Sequence, residues 1–183
     1  MAKLIFATGN KGKLLEAKEI LGIAVEGTSL EIDEIQSIDP IEVAVKKAKA
    51  YYQKLKKPIF VEDNAFFFEG LNNLPSTYID SFSKVLGNNG LVDLLRGRKD
   101  RKATAQATIV YVDKKGKEHV FIGKVKGKIA SKAKGDKGFG WDPIFIPKGS
   151  TKTFGQMELK EKNKYSMRKK ALVKLKKWLA AEV

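Results

Sequence analysis

The 183-residue sequence has no cysteine, one histidine and no long hydrophobic run, and each of these features excludes a class of structure. Without cysteine the chain cannot form a disulfide framework or a thiolate metal site. No segment approaches the roughly 18 consecutive apolar residues of a membrane-spanning helix, and the first residues do not follow the pattern of a signal peptide. The single histidine, His119, lies outside every motif described below, and we interpret it as structural. We therefore expect a cytoplasmic protein with no membrane partner.

Arginine is also scarce, although the chain is strongly basic. It contains 32 lysines, four arginines and 21 acidic residues, which gives a formal net charge of +15. Such a surplus attracts anions and is typical of a protein with a phosphate-bearing partner. A nucleic-acid reader usually has more arginine, whose planar group binds phosphates and guanines bidentately. We therefore interpret most lysines as solvated surface and regard nucleic-acid binding as the weaker hypothesis. Abundant lysine without cysteine is also typical of heat-adapted proteins.

The length and the apolar pattern predict one α/β domain that covers residues 1–183. The apolar fraction is 43%, which is ordinary for a globular protein, and the chain is long enough to bury a sizeable core. The predicted strands are residues 3–7, 30–36, 58–61, 103–113, 118–129 and 143–147, and residues 65–68 either continue the third strand or start a hairpin. The predicted helices are residues 13–21, 40–55, 78–86, 90–95 and 166–181. Residues 103–113 and 118–129 form the clearest hairpin, because a Lys-Lys-Gly-Lys turn separates them. Helices mixed with this hairpin predict a mixed β-sheet flanked by helices.

A glycine-containing loop connects the first strand to the first helix and is the first candidate site. Backbone amides at a helix start are unpaired, and glycine lets a phosphate approach them closely. The loop does not match the Walker or dinucleotide-binding patterns. A turn with a purely geometric role is the alternative. The candidate phosphate-binding residues are Thr8, Gly9, Asn10, Lys11, Gly12 and Lys13.

Two adjacent carboxylates, Glu62 and Asp63, follow a predicted buried strand and precede Asn64. Magnesium ions in proteins are usually held by one or two carboxylates together with substrate phosphates. Glu34, near the end of the preceding predicted strand, is a candidate second ligand of the same ion. The alternative is a strand end whose surface acids pair with lysines.

A loop with two aromatic residues between glycines is the third candidate site. An aromatic ring in such a loop can stack on a nucleobase, and a carboxylate can accept hydrogen bonds from the base. The alternative is a loop whose aromatics fill the core. The candidate residues are Phe139, Gly140, Trp141 and Asp142, which lie between Gly138 and Pro143.

The fourth candidate site is the segment that leads into the last helix. Lys162 and Arg168 are available to an anion, and Ser166 is a suitable helix cap. Met167 continues an apolar helical face, so a simple capped terminal helix is the alternative.

In this order and spacing, the four motifs resemble the inosine triphosphate pyrophosphatase family over residues 4 to about 179. The shared patterns are Thr-Gly-Asn-x-x-Lys, Glu-Asp after a strand, Phe-Gly-Trp-Asp-Pro and Glu-Lys-Asn-x-x-Ser-x-Arg. The resemblance implies an elongated mixed sheet with two lobes around a central nucleotide cleft, usually as a homodimer. It also implies Mg²⁺-dependent hydrolysis of noncanonical purine nucleoside triphosphates (ITP, dITP, XTP) to the monophosphate and pyrophosphate.

The resemblance also implies roles for individual residues. Residues 8–13 would hold the triphosphate, and Lys46 would contact a phosphate. Glu34 and Asp63 would bind Mg²⁺, with Asp63 also acting as the general base. The remaining substrate-binding residues would be Asn64, Phe139, Gly140, Trp141, Asp142, Lys162, Met167 and Arg168.

This chain departs from the family pattern mainly where the base is read. The family usually has histidine at the position of Met167, and methionine cannot donate a comparable hydrogen bond. The family also usually has Ser or Thr at Asn64, Gly at Ala65, Glu at Gln156, and Lys or Arg at Asp80, where Lys84 one turn later is a candidate substitute. These departures leave two alternatives open: a pyrophosphatase of broader or altered base specificity, and a non-catalytic nucleotide- or nucleic-acid-binding protein.

Overall fold

A computed structural model of the chain describes residues 3–181. The strands are β1 (Leu4–Ala7), β2 (Val25–Thr28), β3 (Ile59–Phe68), β4 (Pro75–Ser76), β5 (Lys102–Val112), β6 (Glu118–Ile129) and β7 (Phe145–Pro147). The helices are α1 (Lys11–Leu21), α2 (Pro40–Leu55), α3 (Ile79–Asp93), α4 (Leu159–Lys162) and α5 (Met167–Ala181), with short 3-10 helices at Glu69–Leu71, Asp142–Ile144 and Phe154–Gln156. No helix within these residues is long and apolar enough to span a membrane.

The strands form a mixed sheet in the order β2-β1-β3-β5-β6-β7, and β4 pairs with β3 outside this path. β1 runs parallel to β2 and β3, whereas the β3–β4 and β6–β7 pairs are antiparallel. The register places Ala7 beside Thr28 of β2 and Val61 of β3. The loop after β1 therefore leaves the sheet at the level where β3 carries its two carboxylates. The predicted mixed α/β fold is confirmed.

Local sequence explains where α1 and α2 begin. Asn10 caps α1, and its side chain accepts a hydrogen bond from the backbone of Lys13 at 3.1 Å. Asp39 caps α2 by accepting from the backbone of Ile41 at 2.8 Å, and Pro40 occupies the first turn, where its missing N–H costs nothing. The predicted helix over residues 40–55 is confirmed, and α1 begins two residues earlier than predicted.

The prediction of a strand over residues 30–36 is wrong. The second strand is β2, and residues 30–36 have irregular backbone. Leu30 and Ile32 pack against buried residues from β1, β3 and α2, so the apolar alternation is satisfied by burial without strand pairing. Glu34 therefore lies on an irregular segment.

β3 is longer than the predicted strand over residues 58–61. It continues through Glu62 and Asp63 to Phe68, because Ala65, Phe66 and Phe68 are fully buried and extend the apolar strand. Consecutive side chains on a strand point to opposite faces. Glu62 and Asp63 therefore have different surroundings.

The β5–β6 hairpin and α3 agree with the sequence pattern, whereas β4 and α4 were not predicted and residues 143–144 of the predicted strand over 143–147 belong to a 3-10 helix. β5 and β6 form the predicted hairpin, whose turn is stabilised by Asp113 accepting from the backbone of Lys115 and Lys117 at 2.8 and 3.0 Å. Helix α3 is kinked at Gly87, where φ is 62°, which explains why the sequence shows two helical segments there.

The described residues divide into two compact units, each with its own core. Unit 1 comprises residues 3–63, 107–123 and 168–181, and unit 2 comprises residues 64–106 and 124–167. The core of unit 1 includes Ala7, Ala44, Ala48, Tyr51, Ile59, Val61, Val110 and Val112. The core of unit 2 is aromatic and includes Phe66, Phe68, Trp141, Phe145 and Phe154. The single nucleotide cleft implied by the family resemblance stays a prediction.

Candidate functional site

The loop between β1 and α1 forms a compact turn in unit 1. The backbone N–H of Asn10 donates to the Thr8 hydroxyl at 3.1 Å, and the Asn10 side chain caps the helix. Gly9 and Lys11 are exposed, and α1 begins at Lys11, so residues 11–13 form its first turn. The unpaired amides and the positive end of the helix dipole make this turn suitable for phosphate.

A buried charge network connects α1, β3 and α5 in unit 1. The Arg168 guanidinium donates to the two carboxylate oxygens of Glu62 at 2.7 and 2.9 Å, and a third nitrogen contacts Glu16. Lys13 contacts Glu62 from the first turn of α1 at 3.4 Å. Arg168 and Glu62 are 1% and 3% exposed. Arg168 thus holds Glu62 by two hydrogen bonds, and Glu62 contacts Lys13 next to the loop between β1 and α1. The direct nucleotide contact implied by the family resemblance stays a prediction.

Electrostatics keep Glu62 ionised in this network. Burial alone would raise its pKa, but the charges and hydrogen bonds of Arg168 and Lys13 outweigh burial and lower the pKa to about 2. The pKa of Arg168 is raised, because the attraction of Glu62 and Glu16 exceeds the cost of burial.

The second carboxylate of β3 belongs to a separate cluster. Asp63 and Glu34 both contact the Lys47 ammonium, at 3.4 and 2.7 Å respectively. Burial, together with the nearby charge of Glu34, raises the pKa of Asp63 despite the opposing effects of Lys47 and Lys13. The pKa of Lys47 is also raised, because its carboxylate partners outweigh the effect of burial.

This pair of carboxylates fits a magnesium ion. Both contact the same ammonium nitrogen, so both lie beside one position for a cation. No group of three or more His, Cys, Asp or Glu side chains with metal-binding geometry occurs within residues 3–181. A site of one or two carboxylates, completed by water and phosphate, is the arrangement Mg²⁺ prefers.

Lys47 is a residue that the sequence reasoning missed. Its neighbour Lys46, implied by the resemblance, is exposed on α2, whereas Lys47 is half-buried and faces Glu34 and Asp63. Neighbouring residues on a helix point about 100° apart, so a shift of one position changes the face entirely. The phosphate contact of Lys46 stays a prediction.

The glycine-aromatic loop supplies the candidate base site in unit 2. One oxygen of Asp142 accepts from the backbone of Phe139 and from the Lys162 ammonium, each at 2.8 Å. Asp142 and Lys162 are both 3% exposed, and the Lys162 ammonium lies 4.7 Å from the centre of the Phe139 ring. A Cβ at Gly138 would lie 2.1 Å from this carboxylate oxygen, and φ at Gly138 is +77°. Glycine is therefore required for the loop to close on Asp142.

The two aromatic residues of the loop have different positions. Trp141 is buried, stacks on Phe66 at 4.2 Å between ring centres and packs at right angles to Phe145. It fills the core of unit 2, as the alternative interpretation of the loop proposed. Phe139 is only half-buried and is the ring better placed to stack on a base. The carbonyl of Gly140 accepts from the Asn88 side chain at 3.1 Å, a contact that no local pattern indicates.

The structure explains some departures from the family pattern. Gln156 accepts from the backbone of Thr153 at 3.1 Å and completes a capping box, for which glutamine is as suitable as glutamate. Ala65 is fully buried in β3, and Met167 is 3% exposed. Asp80 and Lys84 are both exposed on α3. The buried side-chain oxygen of Asn64 has no hydrogen-bond partner among the described residues, so it is available to a water or ligand.

Comparison with known proteins agrees with these motifs. The model of the Ham1 family matches residues 4–178. The dITP/XTP pyrophosphatase of Methanopyrus kandleri is 41% identical over 179 residues, which cover 96% of this chain and 95% of that protein. The inosine triphosphate pyrophosphatase of Aspergillus fumigatus is 41% identical over 181 residues, which cover 97% of this chain and 94% of that protein.

Solved structures show the same fold. The Ham1 protein of Staphylococcus aureus superposes with a TM-score of 0.82 at 25% identity and covers 100% of both chains. The HAM1 protein of Coxiella burnetii has a TM-score of 0.87 at 23% identity, covering 99% of this chain and 100% of that chain. The resemblance drawn from the four sequence motifs is confirmed by the family match and by the relatives. On this sequence similarity over nearly its whole length and on its fold, the chain belongs to the Ham1 family.

Proposed function

We propose that this chain is a nucleoside triphosphate pyrophosphatase that hydrolyses noncanonical purine nucleotides, such as ITP, dITP and XTP, with Mg²⁺. The products are the nucleoside monophosphate and pyrophosphate. The observation that carries the proposal is the arrangement in unit 1, where Glu34 and Asp63 both contact the Lys47 ammonium and Lys13 projects from the first turn of α1. The relatives named as dITP/XTP and inosine triphosphate pyrophosphatases support the same activity.

In the proposed reaction, Glu34 and Asp63 would hold the metal ion. A bound Mg²⁺ would neutralise phosphate charge and offset the charge that develops on the leaving pyrophosphate. The amides of Lys11 and Gly12 and the Lys13 ammonium bind phosphate oxygens and orient the triphosphate. Lys13 is suited to this because Glu62 holds it from one side without burying it completely: its side chain remains 16% exposed.

Asp63 is the proposed base. Its carboxylate orients a water molecule toward the α-phosphorus and accepts the proton of that water as the new P–O bond forms. Its raised pKa is consistent with this role, because a base with a pKa nearer the working pH accepts a proton more readily. The bond between the α-phosphorus and its bridging oxygen breaks, and pyrophosphate leaves.

In unit 2, Asp142 and Lys162 are proposed to read the purine. A 6-keto purine has an acceptor at O6 and a donor at N1, whereas adenine has the opposite pattern at these positions. A carboxylate beside an ammonium offers the matching acceptor and donor. Phe139, at the same site, supplies a face for stacking. This arrangement favours inosine- and xanthine-type bases over adenine.

A panel of nucleoside triphosphates with Mg²⁺ tests the proposal. Pyrophosphate and orthophosphate are measured separately for ITP, XTP, GTP and ATP, with EDTA as the metal control. We expect pyrophosphate as the product, high turnover with ITP and XTP, and low turnover with ATP. Orthophosphate as the sole product would contradict attack at the α-phosphorus. Salt-sensitive nucleic-acid binding without any turnover would favour the binding-protein alternative instead.

The second candidate function is a nucleoside triphosphate pyrophosphatase of broader base specificity. The presence of methionine at position 167 favours it. This side chain is buried and stands where the family resemblance implies a histidine, so one hydrogen-bond donor is missing. Turnover of ITP and GTP by the wild type and by Met167→His separates the two candidates. A wild type that strongly prefers ITP would exclude the broader specificity. The homodimer and the cytoplasmic location stay predictions.

A further inference from the structure

Lys47 lies where its ammonium contacts both carboxylates of the candidate metal site. Its Nζ is 2.7 Å from Glu34 Oε1 and 3.4 Å from Asp63 Oδ2. The side chains of Lys47 and Asp63 are 17% and 14% exposed, whereas that of Glu34 is 45% exposed. One positive charge therefore neutralises part of a partly buried acidic pair.

The same position cannot hold an ammonium and a divalent cation together. Magnesium binds carboxylate oxygens at about 2.0–2.1 Å, so an ion on Glu34 and Asp63 would occupy the space next to the Lys47 nitrogen. Two cations at that distance repel strongly, most of all where burial reduces screening. Metal binding therefore requires the ammonium to leave the carboxylates.

The Lys47 ammonium can move away from the two carboxylates, and neither Lys13 nor Lys46 is placed to take its position. A lysine ammonium is a point charge on a flexible four-carbon chain, so it can move several ångströms by rotamer changes alone. Lys13 is already engaged with Glu62 at 3.4 Å, and Lys46 is exposed on another face of α2. Among the described residues, Lys47 is thus the cation that contacts both carboxylates of this acidic pair.

We propose that Lys47 is the resident counter-ion of the metal site: it holds Glu34 and Asp63 together in the metal-free protein and is displaced when the metal binds. The proposal rests on the proposed function, since it takes these two carboxylates as the metal ligands. The displaced ammonium needs a new anionic partner, and a phosphate of the incoming nucleotide provides one. The chain therefore binds metal weakly alone and more tightly when nucleotide is present, with a coupling of about 5- to 150-fold, which is common between linked ligands.

Metal binding without nucleotide tests this competition directly. Mn²⁺ is titrated into the full chain by calorimetry or electron paramagnetic resonance, for the wild type, Lys47→Met and the matched neighbour control Lys46→Met. We expect Lys47→Met to bind Mn²⁺ at least about tenfold more tightly than the wild type, because the competing charge is removed. Lys46→Met should bind Mn²⁺ like the wild type, because its side chain does not contact the carboxylates. Equal affinities of the wild type and Lys47→Met would overturn the proposal.

A second variant and a second measurement keep the test independent of folding and turnover. Lys47→Arg retains the charge and binds carboxylates bidentately, so its Mn²⁺ affinity should equal or fall below that of the wild type. In EDTA, Lys47→Met should unfold at a lower denaturant concentration than the wild type. Saturating Mn²⁺ should remove most of this difference in stability. Tighter Mn²⁺ binding by Lys47→Arg than by the wild type would contradict the exchange. If the proposed function is wrong, the wild type will instead bind Mn²⁺ but release no pyrophosphate from nucleoside triphosphates.

Discussion

Replacing Glu62 with glutamine tests the buried network most directly. The substitution keeps the size of the side chain but removes the charge that faces Arg168 and Lys13. In the folded protein the pKa of Glu62 is about 2, against an ordinary value of 4.5. This difference corresponds to about 3 kcal/mol of folding free energy. Removal of one partner from a buried ion pair commonly costs about 3–5 kcal/mol, in agreement with that value.

The pH dependence of this contribution has a defined direction. Because the pKa is lower in the folded state, the contribution is complete above the unfolded value of 4.5 and is lost as the pH falls toward about 2. About half of it should be gone near pH 3. At lower pH, protonated glutamic acid and glutamine become equivalent, and the two proteins should converge in stability.

Guanidinium denaturation of the wild type and Glu62→Gln across this pH range measures the difference. Glu26→Gln is the matched control, since Glu26 forms an exposed pair with Lys3 and should lose less than about 1 kcal/mol. We expect a gap of about 3 kcal/mol at neutral pH that closes in acid. A gap below about 1 kcal/mol at neutral pH, or one that stays constant down to pH 2, would refute the reasoning.

Three further predictions concern Asp63, Gly138 and His119. Asp63→Asn should keep the fold and lower the turnover of ITP by about 10²–10⁴-fold, because the proton acceptor is lost; near-normal turnover would exclude Asp63 as the base. Gly138→Ala should displace the Asp142 carboxylate and raise the KM for ITP about tenfold, corresponding to the loss of one charged hydrogen bond; an unchanged KM would contradict a role of this loop in binding. His119→Phe should keep the ring contact with Trp178 but lose the contact with Asp113. Denaturation should then show a loss of about 1 kcal/mol without any change in kcat/KM, and a change in catalysis would show that this histidine is more than structural.

Features that depend on neighbours in the chain could be predicted from the sequence. Asp39 and Pro40 determine the start of α2, and the Gly116 turn determines the hairpin of β5 and β6. The capping bonds and turn conformations involved are made within a few residues, so their chemistry is visible in the local pattern. The four family motifs are local in the same sense, and they were sufficient to identify the family.

The partners of the site residues are decided only by the tertiary structure. Glu62 and Arg168 are 106 positions apart, and no periodic pattern indicates that they meet. Lys47 rather than Lys46 faces Asp63, because the rotation of α2 against β3 selects one face of the helix. Local sequence determined which segments contain the candidate functional residues. The packing of helices against the sheet determined which charges face each other, because burial and non-local distance govern those energies.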